Sequence, residues 1–283
     1  MKKNKNYRQQ GFCVRRAEVQ NSTVVFQLNI SNKTSFCASI SRPNAKPRNV
    51  VRHFNKPTYT NMNNKLIDQL QKVLPSGMTI PKELILLYKW IEENNLYVDT
   101  KNGYRIGFLF PEKKLKESWN DNEREGGTTI EFGAGEPENL KYWFGGKDND
   151  EIRQRLCVFA QSGAEGSESA LWLNENGDIK IVHMGSGSGS ILTCVLADNF
   201  VDFLRLLAIG YDEICWDENF PFPPNDNNDD FVVKPNVKFQ SWVKETFNVE
   251  IPKTALEIVK FPARMDDESS EDEFFNWYRK FVE

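Results

Sequence analysis

The residues able to carry chemistry are few. Two histidines, His53 and His183, stand far apart, and neither belongs to an HxxxH pair or a Cys/His cluster of the kind that holds zinc. Nucleophilic catalysis needs a base oriented beside a serine or cysteine, and only these two imidazoles could serve in the usual way. Glu165 and Glu168 in SGAEGSES can be drawn as an acid/base pair, although carboxylates in a Gly/Ser loop are ordinarily solvated. The stretch GSGSGS at 185–190 clusters glycines, which could let backbone N–H groups cradle phosphate. It has Ser190 where a dinucleotide fingerprint needs its third glycine, and it lacks the Gly-Lys-Ser/Thr ending of a Walker loop. A flexible connecting loop is the expectation, with no catalytic residue, cofactor or metal ligand assigned.

A different chemistry is offered by YDEICWDENF, where Asp212, Glu213, Asp217 and Glu218 surround Trp216. One reading is a buried tryptophan beside solvated acids. The other is an aromatic anchor in an acidic rim, the composition a surface would use against a basic protein. These five residues with Glu165 and Glu168 are the candidate partner contacts. The acidic run 266–273 reads as a solvated linker and helix cap.

The elements that must position these residues follow from periodicity. Leu66, Ile67, Leu70, Val73 and Leu74 fall on one face of a helix stopped by Pro75 and Gly77, and Leu84, Ile85, Leu87, Tyr88 and Ile91 predict a second, buried helix behind Pro81. From Tyr104 the period changes to two, in YRIGFLF, and further strands are expected at 128–132, 140–144, 156–160, 169–173 and 179–184. Asn176 and Gly177 supply the tight turn that makes the last two an antiparallel hairpin. A third helix runs from Asp198 or Asn199, as cap, to Gly210. The stretch 221–230 reads as a linker, and Ser270 with Glu273 as a capping box for a last helix striped by Phe274, Trp277, Tyr278 and Phe281.

The whole chain of 283 residues carries a net charge of −4, but residues 1–62 hold twelve Lys/Arg against the single acid Glu18, leaving −15 on the remainder. The basic start, rich in Asn and Ser, has strand-like alternation only at 24–30. A nucleic-acid arm, an organellar transit peptide and a start annotated too far upstream compete to explain it; the last is preferred, since Met62 directly precedes a good helix. Five cysteines without a CxxC pair, and no cleavable signal sequence, fit a reducing compartment, and the apolar runs fall short of the roughly 20 residues that span a bilayer.

Taken in order, residues 65–210 resemble the SUKH superfamily, in the branch of the yeast cell-wall-assembly regulator (Smi/Knr type). The features that carry the resemblance are an amphipathic helix, LPSGMTIPKELILLYKW, NGYRIGFLFP, then RLCVFAQSGAEGSESALWLNENGDIKIV and ADNFVDFLRLL, with Pro75, Pro81, Gly103, Phe159, Gly163, Leu173, Gly177 and Phe200 in favoured places. The sequence departs from the pattern at Gln161, Ser162 and Gly163, where the family usually has an acidic Asp-Gly type turn. The resemblance implies an α+β fold, a central mixed and largely antiparallel sheet with helices packed around it, and a role without catalysis. Bacterial members commonly serve as immunity proteins against toxins, often nucleases or deaminases, and eukaryotic relatives as signalling scaffolds. The expectation is therefore a cytoplasmic, non-enzymatic immunity protein that occludes a cognate toxin. No membrane contact and no direct nucleic-acid binding by the main domain are expected. The rivals are a regulatory scaffold and a small hydrolase built on His183 or Glu165/Glu168. The expected division is 1–61 as an extension, 62–220 as the main domain, and 221–283 as a linker with a helical extension.

Overall fold

Alternation along the central strands divides their side chains between two cores. The computed structural model describes residues 64–228 and 230–283; the expectations for 1–61, including 24–30 and His53, lie outside the described residues. The strands are β1 (Tyr97–Asp99), β2 (Arg105–Gly107), β3 (Glu123–Arg124), β4 (Glu131–Phe132), β5 (Leu156–Gln161), β6 (Glu168–Leu173), β7 (Ile179–Met184), β8 (Thr193–Ala197) and β9 (Val232–Val233). Seven of them form one sheet in the order β1-β2-β4-β5-β6-β7-β8, antiparallel at every step. A separate parallel pair joins β3 to β9. The fold is α+β, with helices on both faces of an antiparallel sheet.

On the first face Cys157, Phe159, Leu171, Ile181, Cys194 and Leu196 meet the helices α1 (Lys65–Val73), α2 (Lys82–Glu93), α5 (Phe200–Ile209) and α6 (Val237–Phe247). Helix α1 is capped by Asn64, whose side chain accepts from the Ile67 N–H at 3.0 Å. It sits close on β2 because Gly107 has no side chain; a Cβ there would stand 2.9 Å from Leu66 Cδ1. Helix α5 begins at Asn199, whose side chain accepts from the Asp202 N–H, and stops at Gly210 with φ of 97°, a left-handed conformation in which glycine is favoured.

On the second face Leu156, Val158, Ala170, Trp172, Val182 and Met184 are covered by Phe274, Trp277 and Tyr278 of α7 (Glu273–Val282), by Leu140 and Phe144, and by Ile152 of α4 (Asp150–Arg155); α3 is the short helix Glu112–Ser118. The last helix therefore docks within its own chain. The tail also closes the sheet's edge at β8: Thr193 N–H donates to Ala263 O at 2.7 Å, and Val195 N–H to the Asp272 carboxylate at 2.9 Å.

Three expectations need correction. Residues 140–144 are not a strand but the end of a 3-10 helix, Pro137–Tyr142, with the turn after it. Leu140 and Phe144 are both buried, whereas Tyr142, which a strand would place on the same face, is 71% exposed. The break after 220 falls inside one compact unit, since Phe220, Phe239, Val243, Ile258 and Val259 share the first core. The cap of α7 is Asp272, which accepts from the Phe275 N–H at 2.8 Å, while Ser270 Oγ accepts from Asp272 N–H.

Candidate functional site

Three loops converge at one end of the sheet: the β5–β6 tip, the Gly/Ser stretch after β7, and the segment 211–220 after α5. At the β5–β6 tip Ser162 N–H donates to Ser167 O at 2.8 Å, and the turn aims Glu165 back across the loop. Its carboxylate accepts from Ser167 N–H at 3.1 Å, from Ser167 Oγ and from Ser190 N–H at 3.4 Å. Ser186 N–H donates to Ser167 Oγ, and Gly189 N–H to Ser186 Oγ. These N–H groups of GSGSGS are turned to partners in the chain, so they do not form a phosphate cradle. The loop instead packs on Glu165, which a Cβ at Gly189 would strike.

Segment 211–220 is tied to the same place. Ser190 Oγ donates to Cys215 O at 2.6 Å. Glu213 is only 8% exposed and accepts from Ala164 N–H at 2.6 Å and from Trp216 Nε1–H at 2.9 Å. Burial pushes its carboxyl above the ordinary range, against the pull of those two hydrogen bonds. Asp217 is paired with Arg264, Nη2 to Oδ2 2.9 Å, and Asp212 with Arg124 at 2.7 Å. The Arg124 guanidinium also lies 3.4 Å from the ring centre of Phe231 and 4.6 Å from that of Trp119. Glu218 is exposed, 3.9 Å from Arg264.

The structure thus brings six of the seven candidate residues into one neighbourhood and leaves Glu168 out. Glu213 acts as an internal clamp between two loops, not as a solvated rim acid. Glu168 lies in register with Gln161 and Met184 on the face that α7 covers, and burial pushes its carboxyl up to about 8. The Glu165/Glu168 pair that a hydrolase would use is not assembled. His183 is fully buried; its Nδ1 is 2.8 Å from Leu192 O, Nε2 has no partner among the described residues, and burial lowers its pKa. Ser169, in register opposite, is likewise buried. This histidine and serine have no surface from which to reach a substrate. Among the described residues no group of three or more His, Cys, Asp or Glu is placed to hold a metal ion.

Beside the clamp a concavity of about 270 Å³ opens, with Tyr211, Trp216 and Phe231 as aromatic wall and Asp212, Glu218 and Asp230 as acids. Its far wall is the 223–228 turn, held by Asn225, which accepts from Val233 N–H at 2.7 Å and donates to Val233 O at 3.1 Å. Sequence reasoning found Trp216, Asp212 and Glu218 but missed Arg124, Phe231 and Asp230. Asp230 ends the run of small polar residues read as a linker, and nothing local in NEREGG marks Arg124 as a partner of a residue 88 positions away. A second concavity of about 160 Å³ is walled by both signs of charge; Lys180 there pairs with Asp198 and Glu273, and Lys260 with Asp198.

Comparison with protein families, curated proteins and solved structures found no match to this chain.

Proposed function

We propose that this protein acts by binding another protein, and that it neutralises a cognate toxin of nuclease or deaminase type by occlusion in the cytoplasm. The observation that carries the reading is the concavity at Trp216. At about 270 Å³ it is below the roughly 300–1,000 Å³ of small-molecule sites, the size of an anchor pocket that takes one side chain of a larger partner. The surplus of 15 negative charges beyond residue 62 would speed association with a basic partner. The resemblance of residues 65–210 to immunity proteins supports the same role. Among the described residues Cys157, Cys194 and Cys215 are free and buried, which suits a reducing compartment. No helix among the described residues is long and apolar enough to cross a membrane.

An interface of standard size covers roughly 1,600 Å² in total, so occlusion would extend over the 211–230 segment around the pocket. An immunity protein must be inherited with what it neutralises, so the test is coexpression of the full chain with the product of the neighbouring gene. Survival of the cells and a complex that copurifies are expected; loss of both removes the reading.

A further inference from the structure

We infer that the concavity at Trp216 receives a guanidinium group, the side chain of an arginine on the bound partner. This inference rests on the protein-binding reading above and names the chemistry of that site. Among the described residues three carboxylates, Asp212, Glu218 and Asp230, line the cavity and no lysine or arginine does. A cavity of one sign favours an occupant of the other.

The protein already holds one guanidinium with this chemistry against two of the residues that line the cavity. Arg124 pairs with Asp212 at 2.7 Å and lies 3.4 Å from the Phe231 ring centre. Both partners line the concavity, and a flat, weakly hydrated cation suits a carboxylate beside an aromatic face. With Asp212 and Phe231 committed to Arg124, the remaining set is Trp216, Glu218 and Asp230. Trp216 is half-buried, and its indole N–H is fixed on Glu213 at 2.9 Å, which holds the ring in place before any partner arrives. Glu218 and Asp230 are exposed, and among the described residues the ion pair at either of them is the 3.9 Å approach of Arg264 to Glu218. The residual set repeats the aromatic-plus-carboxylate composition around Arg124, with one more acid. A planar fork with several donors matches two carboxylates better than the point charge of a lysine does.

The test uses the full chain and small probes. N-acetyl-arginine amide is titrated while the indole N–H resonance of Trp216, identified by its loss in Trp216→Phe, is followed by NMR. N-acetyl-citrulline amide, similar in shape but uncharged, N-acetyl-lysine amide and calcium chloride serve as comparators. The arginine probe should give a saturable shift with Kd on the order of millimolar, as befits a single side chain, with lysine weaker and citrulline silent. Glu218→Gln with Asp230→Asn, both at exposed positions, should weaken the arginine probe at least about tenfold. An equal response to citrulline or to calcium, no response to arginine, or unchanged affinity in the double variant overturns the inference. The two readings fail separately. A complex with the neighbouring gene's product that ignores the double substitution keeps the toxin reading and sinks the arginine pocket. Arginine binding with no such complex does the reverse.

Discussion

Replacing Phe274 by alanine tests whether the C-terminal helix is part of the fold. Phe274 is fully buried, its ring 5.3 Å from Trp172 on β6 in an edge contact and 5.8 Å from Trp277, stacked. It sits in the cluster that also contains Val158, Val182 and Met184, so truncation removes a ring from between a helix and three strands. A buried Phe→Ala change costs about 3–5 kcal/mol through lost transfer energy and the cavity left behind. For a unit of this size about 1 kcal/mol moves the melting temperature by about 2–4 °C, so the melting temperature should fall by roughly 6–20 °C. Urea unfolding of both proteins, read by near-UV dichroism and by fluorescence, measures it: the midpoint should drop with the slope unchanged and the two probes should coincide. A loss below about 1 kcal/mol, or a second transition belonging to the C-terminal segment, would refute the inclusion of residues 221–283 in one cooperative core.

Other outcomes follow from buried charge and from caps. The Glu168 carboxyl, pushed up to about 8 by burial, is protonated when folded and ionised when unfolded between pH 4.3 and 8; its contribution is whole below about 4.3 and lost as pH rises through 8. Glu168→Gln should therefore leave stability at pH 4 nearly unchanged and raise it at pH 9 by on the order of 2–4 kcal/mol, and a Glu168 carboxyl seen by NMR to titrate below 5.5 would contradict this. Burial lowers the pKa of His183, so its contribution is present above about 6.5 and lost as pH falls through its depressed value; His183→Gln should flatten the acid limb of the stability profile, and an unaltered limb would count against it. Asn199→Ala removes the α5 cap and should cost about 1 kcal/mol in urea midpoint analysis, while no change would mean the side chain is replaced there by water.

Local patterns carried much of the fold, and long-range contacts carried the rest. Helix α1 was legible from Leu66 and Leu70 at one-turn spacing, α5 from Asn199 and Gly210 at its ends, and the β6–β7 hairpin from Asn176–Gly177, where Gly177 takes φ of 85°. The strand at YRIGFLF is legible only in part: β2 ends at Gly107, and Phe108 and Leu109 are both buried in succession, which no alternation anticipates. Composition misled at 221–230, because the polar turn is pinned on both sides by buried residues, Phe220 and Phe231. In the candidate site the grouping of Asp212 to Glu218 around Trp216 was visible because those residues are neighbours in sequence. The clamp role of Glu213 was not, because its partner Ala164 lies 49 positions away and no periodicity encodes such a pair. Glu168 was misjudged for a related reason: an acid beside glycines and serines reads as solvated, yet here it begins a central strand between β5 and β7.

The most direct test of the protein-binding account is hydrogen exchange of the full chain alone and mixed with the neighbouring gene's product. Slowed exchange is expected to concentrate at residues 211–231 around the Trp216 concavity, with the β1 edge unchanged. A complex that leaves those amides exchanging at their free rate, or the absence of any complex, would contradict it.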